Sequence, residues 1–160
     1  MRDERVRKLA LGGLFSALVL LATWQLKVPL PVGYIHLGDG VIFLSAMLLG
    51  NYAALIAGVG SALSDLLAGW PQYIAATFVI KAVMGLLAAW LARPGKHARN
   101  LLVFLAAEIV MVGGYCLFET FFYNWSTAVG NIPFNLLQGA AGVALGMAFS
   151  LYLPHLKKKL

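Results

Sequence analysis

Apolar residues run through this chain in long blocks rather than in alternation with polar ones. Stretches such as 14–21 and 101–107 are apolar on every face, which predicts helices in an apolar solvent and argues against half-buried strands or barrel strands. Six helical segments are expected, near 7–26, 37–49, 53–68, 72–92, 100–123 and 131–153. The breaks between them are chemical: Gly50-Asn51-Tyr52, Gly69-Trp70-Pro71 and Arg93-Pro94-Gly95, with Pro154 expected to stop the sixth. A membrane helix needs ~20 mostly apolar residues, and in hydrocarbon each backbone N–H and C=O must be paired within its own segment. The pattern predicts an all-α, polytopic membrane protein with six transmembrane helices. No linker or repeat divides it, so residues 1–160 are expected to form a single integral membrane domain.

Composition points the same way. Of the 160 residues 61% are hydrophobic and 11% charged, with a mean hydropathy of +0.84. Soluble domains are ~45–50% apolar and ~25% charged. A chain of this size cannot hide the excess from water, which excludes a soluble enzyme, a disordered chain and a disulfide-stapled secreted domain. Cys116 is the lone cysteine and can form no internal disulfide. The net charge of +6 has a topological cause. Arg2, Arg5, Arg7 and Lys8 precede the first segment, Arg93, Lys96 and Arg99 separate the fourth from the fifth, and Lys157, Lys158 and Lys159 follow the sixth. With six spans all of these fall on one side, and the positive-inside rule makes that side, with both termini, cytoplasmic. Contacts with lipid headgroups then account for the basic pI, and no nucleic acid is expected. The basic N-terminus followed by an apolar run has the look of a signal peptide, but the run is long enough to span, and retention is expected.

Ionised groups at membrane depth cost at least ~2.5–3.5 kcal/mol each on insertion scales, so their presence needs a reason. Asp39, Asp65, Lys81, Glu108 and Glu119 lie in or at the ends of the apolar segments. Glu108, Tyr115 and Glu119 share one face of the fifth segment, and Asn131, Asn135 and Gln138 one face of the sixth. Two readings follow. Such groups can bond neighbouring helices, an Asp65–Lys81 ion pair being one such device. Alternatively, the two stripes line a cavity in the outer half. Tyr34 and Tyr115 stand beside the stripes and could stack on a flat ligand. Trp70, Tyr123 and Trp125 read as the interfacial aromatic belt. The first outer loop, Lys27 to Asp39, is stiffened by Pro29 and Pro31 and carries His36; it is expected to act as a lid, with His36 a hydrogen-bonding residue rather than a metal ligand.

No zinc-protease, phosphate-loop, paired-cysteine or serine-hydrolase motif is present in the sequence, so no catalytic residue, metal or cofactor is assigned. Ala10, Gly13 and Ala17 set small residues along one side of the first segment, where another helix can approach closely. The glycines Gly139, Gly142 and Gly146 form a second strip, expected to pack internally.

In Tyr34-Ile-His-Leu-Gly-Asp39, Gly58-Val-Gly-Ser-Ala-Leu-Ser-Asp65, Val79-Ile-Lys-Ala-Val-Met-Gly85, Gly113-Gly-Tyr-Cys-Leu-Phe-Glu119 and Asn131-Ile-Pro-Phe-Asn-Leu-Leu-Gln138, the chain resembles the substrate-binding S component of energy-coupling factor (ECF) vitamin transporters, of the riboflavin-type branch. The resemblance implies a multi-pass protein of a prokaryotic cytoplasmic membrane that binds a vitamin or its precursor on the outer side. It implies docking on a transmembrane coupling protein and two cytosolic ATPases, with ATP hydrolysis confined to those partners. The family couples through a pair of alanines on the first helix; here Gly13 stands for the first and Ala17 matches the second. The substrate-binding set expected is Tyr34, His36, Asp39, Asp65, Lys81, Glu108, Tyr115, Glu119, Asn131, Asn135 and Gln138. The balance of acids over lysines disfavours a strongly anionic ligand. Pyridoxine-like or hydroxymethylpyrimidine-like heterocycles and riboflavin are the candidates. The rival readings are a stand-alone proton-coupled carrier using Glu108 and Glu119, and a small membrane enzyme.

Overall fold

A computed structural model describes residues 2–157, with side-chain surroundings for residues 4–153. Lys158 and Lys159 of the C-terminal basic run lie outside the described residues, and so do the side chains of Arg2 and Lys157. The described chain forms six α-helices: α1 (Arg2–Trp24), α2 (Gly38–Leu49), α3 (Tyr52–Ala68), α4 (Ile74–Leu91), α5 (His97–Phe122) and α6 (Trp125–Lys157). A turn of 3-10 helix, Pro71–Tyr73, leads into α4. The α1–α2 connection holds a miniature antiparallel hairpin of β1 (Val28–Pro29) and β2 (Tyr34–Ile35), with Val28 opposite Ile35 and Pro29 opposite Tyr34. The apolar blocks predicted the helices; the hairpin was not foreseen, because two-residue strands carry no periodic signal.

By length and composition four stretches can cross a membrane: Glu4–Trp24, Pro71–Leu91, His97–Phe122 and Trp125–Leu153. The helices α2 and α3, with 12 and 17 residues, are apolar but shorter. At 1.5 Å per residue α2 rises only about 18 Å, well short of a bilayer's hydrocarbon thickness. Large apolar side chains cover the outside of the bundle, among them Phe121 at 84% exposure and Ile109 at 69%. A soluble monomer rarely exposes apolar surface on that scale; for a bundle set in lipid it is the ordinary exterior.

The helices close into a ring in which each touches the next: α1, α3, α4, α5, α6, α2 and back to α1, with α2 also leaning against α3 and α4. Stacked Phe43 and Phe104, with ring centroids 4.3 Å apart, fill the centre beside Met84 and Met111. Small residues let the backbones approach, as packing without a hydrophobic driving force requires. A side chain at Gly60 would meet Ser16 O of α1 at 2.6 Å, and one at Gly85 would meet Ala53 O of α3 at 2.5 Å. The expected glycine strip of α6 is internal: Gly139 and Gly142 face Glu108, and Gly146 faces Phe43 and Phe104.

Several helix boundaries differ from expectation. The sixth helix begins at Trp125, ahead of the expected 131, because Asn124 Oδ1 accepts the Thr127 N–H at 2.9 Å and caps the new helix straight after α5. It also continues through Pro154 to Lys157, so that proline does not stop it. The fifth begins at His97, ahead of the expected 100. There the buried Asn100 exchanges hydrogen bonds with the Arg93 backbone and donates to Ser150 Oγ of α6 at 2.7 Å, clasping the α4–α5 turn to the bundle.

Because the Gly85 contact is with backbone, which cannot move aside cheaply, Gly85→Ala is expected to destabilise the bundle by about 1–3 kcal/mol. Gly113→Ala, whose added carbon meets nothing within 4 Å, serves as the control and is expected to leave the melting temperature unchanged or slightly raised. Thermal unfolding of both variants in detergent checks this.

Candidate functional site

Asp39 occupies the first turn of α2, where free helix N–H groups favour negative charge. Its Oδ1 meets Lys81 Nζ of α4 at 2.6 Å, both side chains being wholly buried. From α6 the Gln138 amide donates to Asp39 Oδ2 at 2.8 Å, while its carbonyl oxygen accepts the His36 backbone N–H at 3.2 Å. Lys81 Nζ also stands 5.7 Å from the centre of the Tyr115 ring. The pair therefore ties α2, α4 and α6 together and fixes the floor beneath the hairpin. The expected Asp65–Lys81 pair does not form. Lys81 is taken by Asp39, because α2 leans across to α4 and brings Asp39 to its depth, and Asp65 instead accepts the Tyr34 hydroxyl at 2.7 Å.

Above this floor lies a cavity of about 40 Å³, roofed by Leu30, Val32 and Gly33 of the hairpin. That is more than the ~10–15 Å³ a single buried water requires. Of the residues singled out in the sequence, Tyr34, His36, Asp65, Tyr115, Glu119, Asn131, Asn135 and Gln138 line it. Asp39, Lys81 and Glu108 do not; they lie among the helices. Glu108 is 5% exposed, packs against Gly139 and Gly142, and has no hydrogen-bond partner on either oxygen among the described residues.

Sequence reasoning missed Thr23, Tyr73 and Thr77, which also line the cavity. Tyr73 donates to Glu119 Oε1 at 2.9 Å, and Asn131 Nδ2 donates to the same oxygen at 3.0 Å. Tyr115 donates to Thr77 Oγ1 at 3.1 Å. Trp70, read as an interfacial residue, is a cavity residue as well. Gly69 ends α3 in the left-handed conformation (φ 81°), and the Trp70 N–H returns to Asp65 O at 2.9 Å, which turns the indole back over the cavity and edge-on to Tyr73. The available signal was Gly69 as a helix stop, and it fixes where the helix ends but not which way the next side chain faces. Of the other two aromatics read as interfacial, Trp125 is 65% exposed, whereas Tyr123 accepts a hydrogen bond from Gln72 at 3.0 Å.

The cavity walls carry unused hydrogen-bonding capacity. Thr23 Oγ1, Asp65 Oδ2 and Glu119 Oε2 are buried without a partner among the described residues. In the α1–α2 connection, burial and the Asp65 carboxylate hold the Tyr34 hydroxyl in its protonated, donating form. The His36 ring accepts the Gly38 N–H at its Nδ1, 3.1 Å away. Burial, with Lys81 adding to it and Asp39 opposing, pushes the imidazole down to about 4. Ala10, Gly13 and Ala17 lie far from this chamber in kind: all are exposed on α1, in a stripe with Leu9 and Leu14.

The folded state thus binds a proton at His36 less readily than the unfolded chain, whose imidazole titrates near 6.5. Stability from this group is complete above about pH 6.5 and is expected to fall by up to about 1.4 kcal/mol per unit as the pH drops toward 4. Melting curves across that window should show a smaller loss for His36→Gln than for the parent chain.

Residues 4–154 match the family described as ECF-type riboflavin transporter, S component. A thiamine precursor transporter, HmpT, of Lactococcus lactis subsp. cremoris (strain MG1363) is 29% identical over 154 residues, covering 94% of this chain and 89% of that one. An uncharacterized protein of Pyrococcus woesei is 33% identical over 132 residues, covering 80% of this chain and 88% of its own. A buried polar chamber in an apolar helix bundle, matched to that family along nearly its whole length, makes the chain a member of the ECF-type riboflavin transporter S component family.

Proposed function

We infer that the chain binds a vitamin or vitamin precursor in the chamber beneath the hairpin and carries it across the membrane as the S component of an ECF-type transporter. The observation that carries this reading is the pair of buried carboxylate oxygens without partners, Asp65 Oδ2 and Glu119 Oε2, in a cavity walled by Tyr34, Trp70, Tyr73 and Tyr115. Unsatisfied buried acceptors are costly, and a ligand with hydrogen-bond donors removes that cost. The membrane topology belongs to the same proposal: one integral domain, six crossings with α2 and α3 sheltered by the longer helices, termini in the cytoplasm and the hairpin outside. Basic residues at the chain ends and around the α4–α5 connection, all assigned to the cytoplasm, support it.

The exposed small-residue stripe Ala10, Gly13 and Ala17 of α1 suits docking on the transmembrane coupling protein, which would bring in two cytosolic ATPases. Family membership supports that partnership, and the chain has no phosphate-binding loop of its own. Two ligand classes are carried forward. The thiamine-precursor relative favours a pyridoxine-like or hydroxymethylpyrimidine-like ring; the family description favours riboflavin. The buried, unpartnered Glu108 keeps a proton-coupled carrier as the alternative.

Reconstitution separates the two. In liposomes the chain alone should bind ligand without accumulating it, and uptake should require the coupling protein, the ATPases and ATP. Sustained uptake by the chain alone under a pH gradient would establish the carrier instead. Glu119→Gln, which trades an acceptor for a donor facing the ligand, should weaken binding at least tenfold, about 1.4 kcal/mol, by isothermal titration with the fold checked by melting. Unchanged affinity in a folded variant would remove Glu119 from the site.

A further inference from the structure

The α4–α5 turn is built more firmly than a simple reversal of the chain requires. Arg93 is held through its backbone on both sides: its N–H donates to Asn100 Oδ1 at 2.8 Å, and its carbonyl oxygen accepts from Asn100 Nδ2 at 2.9 Å and from the Lys96 N–H at 3.1 Å. Asn100 is wholly buried, and its amide also donates to the equally buried Ser150 of α6. A turn at a surface can leave such backbone groups to water; here a buried side chain fixes them.

The two arginines of the turn are fixed as well. Arg99 Nε donates to Leu91 O at 2.6 Å, and Arg93 Nη1 to Ala92 O at 2.8 Å, so both side chains are tied to the C-terminal end of α4. Such bonds cap the open carbonyls of a helix end. They use one of the five N–H donors on each guanidinium, and among the described residues the other donors have no partner. Arg93, Lys96 and Arg99 are all exposed. No acidic residue occurs between Asp65 and Glu108, and those two are buried in the bundle, so no carboxylate of the flanking segments offsets the three charges. Capping explains where the guanidinium groups sit, and it leaves a fixed pair of donor forks without an acceptor.

The surroundings identify that acceptor. The helices α4 and α5 belong to stretches long and apolar enough to cross a membrane, which sets the turn at a bilayer surface. On the last turn of α4, Trp90 and Leu91 are 55% and 40% exposed. Apolar surface next to fixed cations at that level matches a lipid, with its acyl chain against the indole and its phosphate against the arginines. Guanidinium forks suit phosphate because they donate two parallel bonds. A headgroup carrying its own ammonium would bring a cation toward Arg93, Lys96 and Arg99, which favours a net-negative headgroup.

We propose that the α4–α5 turn is a binding site for one anionic phospholipid, its phosphodiester held by Arg93 and Arg99 and the start of an acyl chain lying on Trp90. The site is separate from the chamber and needs only that the bundle cross a bilayer, so it stands or falls apart from the S-component reading.

Native mass spectrometry of the full chain in detergent, titrated with phosphatidylglycerol and phosphatidylcholine together, tests it. The parent chain should bind phosphatidylglycerol at least about tenfold more tightly. Arg93→Gln combined with Arg99→Gln should lose that preference. Arg5→Gln combined with Arg7→Gln, which removes the same charge from α1, should keep it. The preference is a ratio read within one folded sample, so a general loss of stability does not imitate it. No preference in the parent chain would overturn the site, and so would an equal loss in both double variants, which marks diffuse attraction. Inorganic phosphate protecting the parent chain from melting as well as phosphatidylglycerol does would assign the turn to a free anion and overturn the lipid. If the lipid preference is absent while the Arg93 and Arg99 variant no longer binds the coupling protein, the arginines serve a protein interface and the proposal falls.

Discussion

An ammonium and a carboxylate, each wholly removed from solvent, meet at 2.6 Å between α2 and α4, and the arrangement of the other helices follows from keeping them together. Moving either ion alone into such surroundings costs several kcal/mol even after relaxation, and the pair is tolerable only if the remaining hydrogen-bonding positions are also filled. Gln138 fills one of them from α6, the first-turn N–H groups of α2 favour the carboxylate, and the face of Tyr115 lies close to the ammonium. Gly142 supplies the space, since a side chain there would meet Asp39 and Glu108. One contact thereby sets the depth of α2, the rotation of α4 and the register of α6.

The hairpin inherits its position from the same floor. Gln138 joins Asp39 to the His36 backbone, and the His36 ring accepts the N–H of Gly38 at the start of α2. A side chain at Gly38 would collide with Thr23 Oγ1, so a larger residue at the entry to α2 would force Thr23 to move. The proline-stiffened connection thus closes over a chamber whose walls are tyrosines and whose free groups are mostly acceptors. Its polar parts divide into those that satisfy one another and those left facing the void, and the latter carry the proposed recognition.

The exterior has a simpler logic. The bundle leaves large apolar side chains outward and keeps small residues between helices, as expected where lipid takes the place of water. The α1 stripe of Ala10, Gly13 and Ala17 differs from the internal glycine strips because none of the described residues covers it. In the proposed assembly that stripe is the place for a partner helix.

The apolar blocks and their glycine and proline stops by themselves determined the helices, because a helix in hydrocarbon satisfies its backbone locally and needs only length and apolar character. They also marked Asp65, Glu119, Asn131 and Gln138 as out of place, and these residues do line the cavity. Pairing was not legible. The sequence pointed to Asp65 as the partner of Lys81, whereas the lean of α2 toward α4 brings Asp39 there instead. Trp70 read as an interfacial anchor until the left-handed turn at Gly69 swung it inward. Glu108 shares a helical face with Tyr115 and Glu119, yet it sits below the chamber against two glycines. Periodicity gives the angle of a side chain about its own helix; which neighbour it meets depends on how the helices cross, and only the packed bundle decides that.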